Sequence, residues 1–479
     1  MIKLIKLLTE NKEERAMEDL LSKIVKQSPF SGKVYIAGGY VRDKIMGIDS
    51  KDIDLVVELP QGGIKFAEWI CKKYKVYKKG SNPVIFPTYG TAKFQLYGVK
   101  HKGVNVGEIE IEAVMTRTEK YEKGNRKPEV KAGTLAQDVE RRDFTVNSLL
   151  KDLTTGEIHD LTGMGKADIK RGVVQTPLNP DIIFAEDALR MLRAIRFTVK
   201  YGWDLPLFMI KAIKRNARMI NSISNECIHE ELNKMLVSKN PKQAIKLMKV
   251  TGLMKEVLPE LELLIGLKQN KYHKWSGYDH TLEVLSNTPQ DLITRLAALF
   301  HDIGKPATKT VVDNEIHFYG HEKISSDIAV DIMNRLKYPK NIIDAVKSSI
   351  NNHMKLKQAG SDGDIISDKA LRRLKVKLGD HLEQALNLMH ADNISHHPDY
   401  DMPNQIPKIK ARMKDLDMGQ GGKVVLPING NDIIKKFKLK PGPIIGKLLS
   451  YVEEEWYFNP KLSKSSALLI VARKLKNEK

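Results

Sequence analysis

The chain has 479 residues, of which 42% are hydrophobic and 29% charged, and its formal net charge is +20. The length allows about three domains of ~150 residues, and the strong positive charge favours a polyanionic partner such as nucleic acid. Its two cysteines, Cys71 and Cys227, exclude a disulfide framework and a zinc ribbon and fit a reducing cytoplasm. No run of about 18 apolar residues is present, which argues against a membrane span.

A sheet domain followed by helices is predicted from the order of the apolar patterns. Residues 1–30 are expected to form one or two amphipathic helices, without the apolar core and cleavage site of a secretory signal. Strands are predicted at 33–37, 53–58, 84–86, 91–97 and 108–115. From about residue 180 helical periodicity dominates almost to the end, so the predicted fold class is α+β.

The most informative stretch begins at a glycine pair after the first of these strands. Gly38 and Gly39 let the backbone approach a phosphate group closely because they carry no Cβ, and Arg42 can reach a triphosphate with its fork of donors. On the next strand Asp52 and Asp54 share one face, because strand side chains alternate. Two such carboxylates form a hard-oxygen site for Mg²⁺, which suggests two-metal phosphoryl transfer beside the glycine turn.

A second group of polar residues follows a capped helix that starts near Thr134. Arg142 can neutralise a phosphate bidentately, and Asn147 offers a donor and an acceptor suited to a ribose hydroxyl. Asp143 can fix the arginines in place, or it can form an internal ion pair with Arg142. Upstream, Glu112 is a candidate third carboxylate of the metal site. The favoured alternative is that it lies on a solvent-exposed strand face.

These two stretches together resemble the nucleotidyltransferase signature of the polymerase β superfamily. Gly-Gly-Tyr-Val-Arg-Asp at 38–43, followed by the Asp52/Asp54 pair, is similar to the motif of class II CCA-adding enzymes and bacterial poly(A) polymerases. Residues 141–149 resemble the family's Arg-Arg-Asp-Phe-Thr-x-Asn-Ala-Leu motif, and Ser148, where Ala is usual, is the one departure. The resemblance implies that Gly38, Gly39, Arg42, Arg142, Asp143 and Asn147 bind the nucleotide.

A third motif, at 186–197, resembles the family's Glu-Asp-x-x-Arg helix. Asp187 and Arg190 are three residues apart and are expected to share one helix face. The carboxylate can accept from the amino group of cytosine or adenine, and the guanidinium can donate to the adjacent ring nitrogen. Uracil and guanine present the reverse order, so that acceptor would face acceptor and donor would face donor. A helical salt bridge is the alternative. The family match also assigns phosphate or nucleotide contacts to Arg193 and Arg196. Arg196 lies about 180° round the helix from Asp187, however, and could instead reach RNA or hold the adjacent domain.

Six metal-ligating side chains in the C-terminal half resemble those of the HD phosphohydrolase domain. The match assigns the core metal ligands to His280, His301, Asp302 and Asp392, and the extra histidines of two-metal forms to His321 and His353. Imidazole and carboxylate ligands suit a divalent metal such as Mn²⁺, Ni²⁺, Zn²⁺ or Mg²⁺. A degenerate HD fold that serves as a scaffold for tRNA is the alternative.

The resemblance covers nearly the whole chain and implies a chain of five segments. They are N-terminal helices (1–30), a catalytic head (31–165), a helical neck for nucleotide and tRNA (166–265), an HD domain (266–400) and a helical tRNA-binding tail (401–479). The implied activity is template-independent addition of CCA to the 3′ end of tRNA from CTP and ATP. We expect a cytoplasmic protein with Mg²⁺ as cofactor, no membrane association and no obligate protein partner.

Two kinds of alternative stay open. A poly(A) polymerase, or an enzyme that adds only CC or only A, would share all of these motifs, and the features that separate them lie in the neck and in a loop near 116–130. An HD metal-dependent phosphohydrolase with a non-catalytic RNA-binding head is the alternative of another class, and the intact Asp52/Asp54 pair speaks against it.

Overall fold

The structure is a computed structural model, and it describes residues 2–50, 53–74, 83–96, 100–105, 109–120, 129–417 and 424–477. The chain divides into two compact units. The first unit comprises Met1–Met235 with Gln243–Val257, and the second comprises Leu236–Lys242 with Leu258–Lys479. No helix in the described ranges is both long enough and apolar enough to cross a membrane.

The first unit is built on strands β1 (Val34–Ala37), β2 (Ile53–Val57), β3 (Val84–Phe86), β4 (Thr91–Leu96), β5 (Lys100–His101), β6 (Val104–Asn105), β7 (Ile109–Met115), β8 (Arg117–Lys120), β9 (Glu129–Ala132), β10 (Leu150–Asp152) and β11 (Ile158–His159). Seven of them form one mixed sheet in the order β11-β10-β1-β2-β7-β4-β3. The only parallel pair among these strands is β2 with β7. Strands β8 and β9 pair at the two ends of the predicted 116–130 loop, of which 121–128 lie outside the described residues.

The helices of this part of the chain are α1 (Ile2–Lys26), α2 (Gly39–Ile45), α3 (Gly62–Tyr74), α4 (Leu135–Glu140), α5 (Gly165–Arg171), α6 (Pro180–Glu186), α7 (Leu189–Tyr201), α8 (Leu207–Asn216), α9 (Asn225–Leu236), α10 (Pro241–Val250) and α11 (Leu253–Val257). Side chains of α1 and α3 pack with the alternate residues Ile53, Leu55 and Val57 in one buried cluster. Val56 points to the other side and packs with Val139 of α4. Thr134 starts α4 with a capping box, as its sequence predicts.

The described residues of the second unit form helices and one hairpin. Its helices are α12 (Gly277–Ser286), α13 (Leu292–Phe300), α14 (Lys305–Thr308), α15 (His321–Arg335), α16 (Lys340–Asn352), α17 (Asp368–Leu378), α18 (Leu382–Asn393), α19 (Gln405–Asp415), α20 (Gly430–Phe437), α21 (Pro443–Trp456) and α22 (Lys464–Asn477). The hairpin pairs β12 (Lys309–Val312) with β13 (Glu315–Phe318).

The α+β class and the five predicted strands are confirmed, each to within a residue or two. Several strands were not predicted from the sequence: β10 and β11, which complete the sheet beside β1, the pairs β5–β6 and β8–β9, and the hairpin within the helical half. The predicted helices of 1–30 form the single helix α1.

Candidate active site and metal centre

Asp54 projects from the middle of the sheet. It is the exposed residue of β2, whose other members are buried. Its register partners are Ala37 on β1 and Glu112 on β7, so its carboxylate lies next to the start of the glycine turn. The candidate third carboxylate, Glu112, pairs with Lys93 at 2.9 Å. Asp52 lies outside the described residues.

The glycine turn makes close contact with Arg142. Gly38 has a φ of 69°, in the left-handed region that glycine adopts without strain. A Cβ at Gly38 would lie 3.3 Å from Nη1 of Arg142 and 3.8 Å from the carbonyl oxygen of Asn147. The missing side chain therefore leaves room for the Arg142 guanidinium directly beside the turn.

A continuous chain of polar contacts joins the three sequence motifs. Arg42 forms an ion pair with Asp43 at 2.7 Å and donates to the side-chain oxygen of Asn147. Asn147 donates to Asp143 at 2.9 Å, and Asp143 forms an ion pair with Arg193 of α7 at 2.5 Å. The glycine turn, the second motif and α7 are thus held to one another through these five side chains.

The network determines the burial of Arg42 and the ionisation of Asp143. Arg42 is only 4% exposed, and its guanidinium also lies over the rings of Phe197 and Tyr201. The Asp143 side chain is 11% exposed, and this partial burial opposes its ionisation, but Arg193 and Asn147 outweigh it and hold the pKa of Asp143 below the usual value. Asp143 therefore fixes an arginine, as expected.

Arg142 has a different partner from the one considered in the sequence analysis. It pairs with the fully buried Asp138 at 3.1 Å, so the alternative ion pair of Arg142 with Asp143 is wrong. Asp138 also binds Arg141 at 2.6 Å, and together the two arginines outweigh its burial and hold its pKa below the usual value. Asp138 was not identified from the sequence, although it precedes Arg142 by four residues, a spacing at which an acid and an arginine can pair.

The expectation that Asp187 and Arg190 share a face of one helix is wrong. Helix α6 ends at Glu186 and α7 begins at Leu189, with Asp187 extended between them (φ −146°, ψ 103°). The Asp187 carboxylate accepts from the Leu189 amide at 3.0 Å, a local bond that competes with helix continuation. The Arg190 guanidinium contacts Glu186 at 3.0 Å and the Ile183 carbonyl at 3.2 Å.

Arg196 has a different ion-pair partner from the residues of this network. Its guanidinium forms an ion pair with Glu231 of α9, which is 3% exposed. Arg196 therefore links α7 to α9, two helices that both lie within the predicted neck (166–265).

The six predicted HD ligands converge in the second unit, from α12, α15, α18 and the C-terminal ends of α13 and α16. Two overlapping groups have their ligand atoms within 4.8 Å of one another: His280 with His301 and Asp302, and Asp302 with His321 and His353. Asp392 lies 3.1 Å from Nε2 of His280. Gly304 permits this convergence, because a Cβ there would lie 2.5 Å from the Ser325 amide of α15.

The ring orientation of three histidines suits metal binding. Nδ1 of His301, His321 and His353 lies 2.7–2.8 Å from a backbone carbonyl three residues earlier. Such a bond places the proton on Nδ1 and leaves Nε2 as a free ligand atom. Nε2 of His301 and of His321 is buried without a hydrogen-bond partner. The donor set therefore fits a divalent metal.

Four residues around this cluster were not identified from the sequence. Lys305 and Lys357 pair with Asp302 and Asp392, and His273 and His396 lie beside the two lysines. Lys305 and His396 follow the aspartates by three and four residues, a helical spacing that could have revealed them. The lysines and histidines line a cavity of ≈ 660 Å³ together with both aspartates.

Comparison with known proteins finds similarity in both units of the chain. Family models match three segments, described as a poly A polymerase head domain (34–175), a probable RNA- and SrmB-binding site of polymerase A (209–264) and an HD domain (277–395). A CC-adding tRNA nucleotidyltransferase of Thermus thermophilus is 30% identical over 67% of this chain and 73% of its own length. The chain belongs to the family of tRNA nucleotidyltransferases.

The likeness to this family extends over almost the whole chain. A tRNA nucleotidyltransferase of Schizosaccharomyces pombe is 25% identical over 97% of this chain and 96% of its own. The crystal structure of the Bacillus stearothermophilus CCA-adding enzyme in complex with CTP has the same fold, with a TM-score of 0.66 at 20% identity over 97% of this chain and 98% of that one. The head of this nucleotidyltransferase carries the Asp54 site, and its HD domain carries the histidine cluster.

Proposed function

We propose that this nucleotidyltransferase adds C, C and A to the 3′ end of tRNA from CTP and ATP without a nucleic acid template. The observation that carries the proposal is the polar network that joins the glycine turn, the second motif and α7 in the unit that holds Asp54. The names of the relatives, which include CCA-adding and CC-adding enzymes, support the same reaction. Because tRNA is the substrate, we propose a cytoplasmic location.

In this proposal Asp52 and Asp54 hold Mg²⁺ beside the glycine turn. Bound Mg²⁺ would acidify the attacking hydroxyl and neutralise charge on the leaving pyrophosphate. Gly38, Gly39 and the arginines at 42 and 142 hold the triphosphate. The RNA 3′-oxygen attacks the α-phosphorus, the new P–O bond forms, the bond to pyrophosphate breaks and the hydroxyl proton leaves to solvent.

Base selection is assigned to Asp187 and Arg190, with Asn147 at the ribose and Arg193 and Arg196 as further nucleotide contacts. Arg190 must exchange its contact with Glu186 for the base, so nucleotide binding would be coupled to a movement of this guanidinium. The neck (166–265) and the tail (401–479) are proposed to bind the tRNA, consistent with the net charge of +20.

Product analysis tests the proposal and separates the alternatives. Purified protein is incubated with Mg²⁺ and a tRNA that ends at the discriminator base, with CTP, ATP, UTP or GTP alone and then with CTP plus ATP. Addition of two C and one A followed by a stop supports CCA addition. Two C only would indicate a CC-adding enzyme, a long A tail a poly(A) polymerase, and no incorporation would favour the HD phosphohydrolase with a non-catalytic head.

We also propose a hydrolase activity for the HD domain. Three of its histidines are held through Nδ1 by backbone carbonyls, so that their Nε2 atoms are available as ligands beside two buried carboxylates. His280, His301, Asp302, His321, His353 and Asp392 would hold Mn²⁺, Ni²⁺, Zn²⁺ or Mg²⁺. Bound metal would activate water for hydrolysis of a phosphate ester, in which a P–O bond to water forms, the ester P–O bond breaks and the leaving oxygen takes the proton. Metal content by plasma mass spectrometry, compared with His301→Ala, tests the site, and the degenerate scaffold predicts no bound metal.

A further inference from the structure

The N-terminal helix α1 packs against α2, the short helix that follows the glycine turn. Helix α2 has only seven residues, Gly39–Ile45, and a helix of that length is not stable by itself. Leu21 of α1 and Val41 of α2 belong to one buried apolar cluster. The position of α2, and with it that of the turn, therefore depends on the elements that pack against it.

Two carboxylates of α1 contact α2. The Glu14 residue is 8% exposed and the Glu18 side chain 18%. Nζ of Lys44 lies 3.2 Å from Glu14 and 3.8 Å from Glu18, and the hydroxyl of the buried Tyr40 donates to Glu18 at 3.2 Å. Burial, and then the negative charge of Glu18, raises the pKa of the Tyr40 hydroxyl, which therefore stays protonated as the donor.

Glu18 is also bonded to the segment on the other side of the glycine turn. Its Oε1 atom forms an ion pair with Lys151 of β10. Lys151 lies two residues after Leu149, whose carbonyl oxygen accepts a hydrogen bond from the Gly38 amide at 3.2 Å. One carboxylate of α1 is therefore bonded to both segments that meet at the turn, through Tyr40 in α2 and through Lys151 in β10.

The contacts with α1 and those with the polar network lie on different faces of α2. Tyr40 and Lys44 are four residues apart and share the face that meets α1. Arg42 projects from another face and donates to the side-chain oxygen of Asn147. Because a helix moves as a rigid unit, a shift of the first face would displace Arg42 as well.

We propose that Glu18 is a positioning residue for nucleotidyl transfer, which holds the glycine turn and Arg42 in the place where they bind the triphosphate. This inference rests on the proposed function of the head. Glu18 acts through Tyr40 and Lys151 and does not itself touch the nucleotide. It belongs to α1, which precedes the segment matched to the head domain (34–175).

The variant Glu18→Gln should weaken binding of CTP and ATP by the same factor, because the two nucleotides share the triphosphate. The amide keeps the length of the side chain but removes the charge that Lys44 and Lys151 face. We expect the KM for each nucleotide to rise about tenfold, the equivalent of one charge-assisted hydrogen bond. The kcat should change less than about twofold, as for a contact made equally before and during the reaction.

Two further variants separate positioning from general stabilisation. Tyr40→Phe removes only the hydroxyl and keeps the buried ring, and it should raise both KM values in the same direction. Glu18→Gln combined with Tyr40→Phe should raise them no further than Glu18→Gln alone, because both changes break the same bond. Asp19→Asn is the matched control: Asp19 is the next residue of α1 and forms an exposed pair with Lys102, so its loss should leave both KM values unchanged.

Steady-state incorporation measures the KM for CTP with a tRNA that ends at the discriminator base and the KM for ATP with a tRNA that ends in CC. Isothermal titration calorimetry with CTP and Mg²⁺ measures nucleotide binding without tRNA, and calorimetric unfolding checks that each variant is folded at the assay temperature. A purely structural role of Glu18 would lower the Tm but leave the KM of the folded protein unchanged.

The outcomes distinguish this inference from the proposed function. If folded Glu18→Gln has the wild-type KM for both nucleotides, the positioning role is overturned and the proposed function stands. A rise for only one nucleotide would place Glu18 in base selection and would also overturn the inference. A wild-type protein that incorporates neither nucleotide and binds no CTP would instead refute the proposed function.

Discussion

Replacement of Asp138 by asparagine should destabilise the first unit and weaken nucleotide binding together. The Asp138 side chain is fully buried between Arg141 at 2.6 Å and Arg142 at 3.1 Å, each bound by a different carboxylate oxygen. An asparagine keeps one acceptor, and whichever way the amide is turned, its NH₂ group faces a guanidinium. Both arginines are less than one-fifth exposed, so neither can be rehydrated freely.

The expected magnitude follows from this burial. Breaking a buried ion pair by removing one partner costs about 3–5 kcal/mol, and since one acceptor remains, we expect about 3 kcal/mol. In a unit of this size the Tm should fall by about 6–12 °C. Arg142 also loses the partner that holds it beside Gly38, so the KM for CTP should rise about tenfold or more, the equivalent of one charge-assisted hydrogen bond.

Calorimetric unfolding and CTP incorporation kinetics at pH 7 measure the two effects. Asp181→Asn is the matched control, because Asp181 forms an exposed pair with Arg215 in the same unit (side chains 40% and 58% exposed). Such a pair contributes at most about 1 kcal/mol. If Asp138→Asn shifts Tm no more than the control and leaves the KM unchanged, then Asp138 does not hold Arg142, and the reasoning from burial is refuted.

Four further outcomes are expected. Asp54→Asn should lower nucleotide addition by about 10²-fold or more with an unchanged Tm, because the exposed Asp54 is proposed to hold Mg²⁺ and does not pack in the core, and steady-state rates with calorimetry check both. Folding lowers the pKa of Asp143, so its contribution to stability is complete above the pKa of the unfolded state, near 3.9, and is lost as the pH falls below it. Acid unfolding of the wild type and of Asp143→Asn would measure this contribution. His353→Ala should weaken Mn²⁺ binding at least tenfold and leave CTP incorporation unchanged, and a parallel loss of incorporation would contradict separate sites. Glu231→Gln should lower stability by about 3 kcal/mol through loss of the partner of Arg196, and an unchanged urea midpoint would exclude this role.

The sequence alone determined the fold class, the main strands and the types of residue at both sites. These features are local. Alternation along β2 places Asp54 on the opposite face from Ile53 and Leu55, and a glycine pair followed by Arg42 can be recognised without knowledge of the fold. The HD ligands could also be named from their order along the chain, since each is a residue type that binds metal well.

Only the tertiary structure decided which side chains act on one another. Asp143 pairs with Arg193, fifty residues away, whereas Arg142 pairs with Asp138. At the helix break, the Asp187 side chain accepts a hydrogen bond from the Leu189 amide, a local contact that helical periodicity does not reveal. The same holds for Lys357 beside Asp392: a long-range ion pair depends on how helices pack, and packing is not encoded in the spacing of either residue.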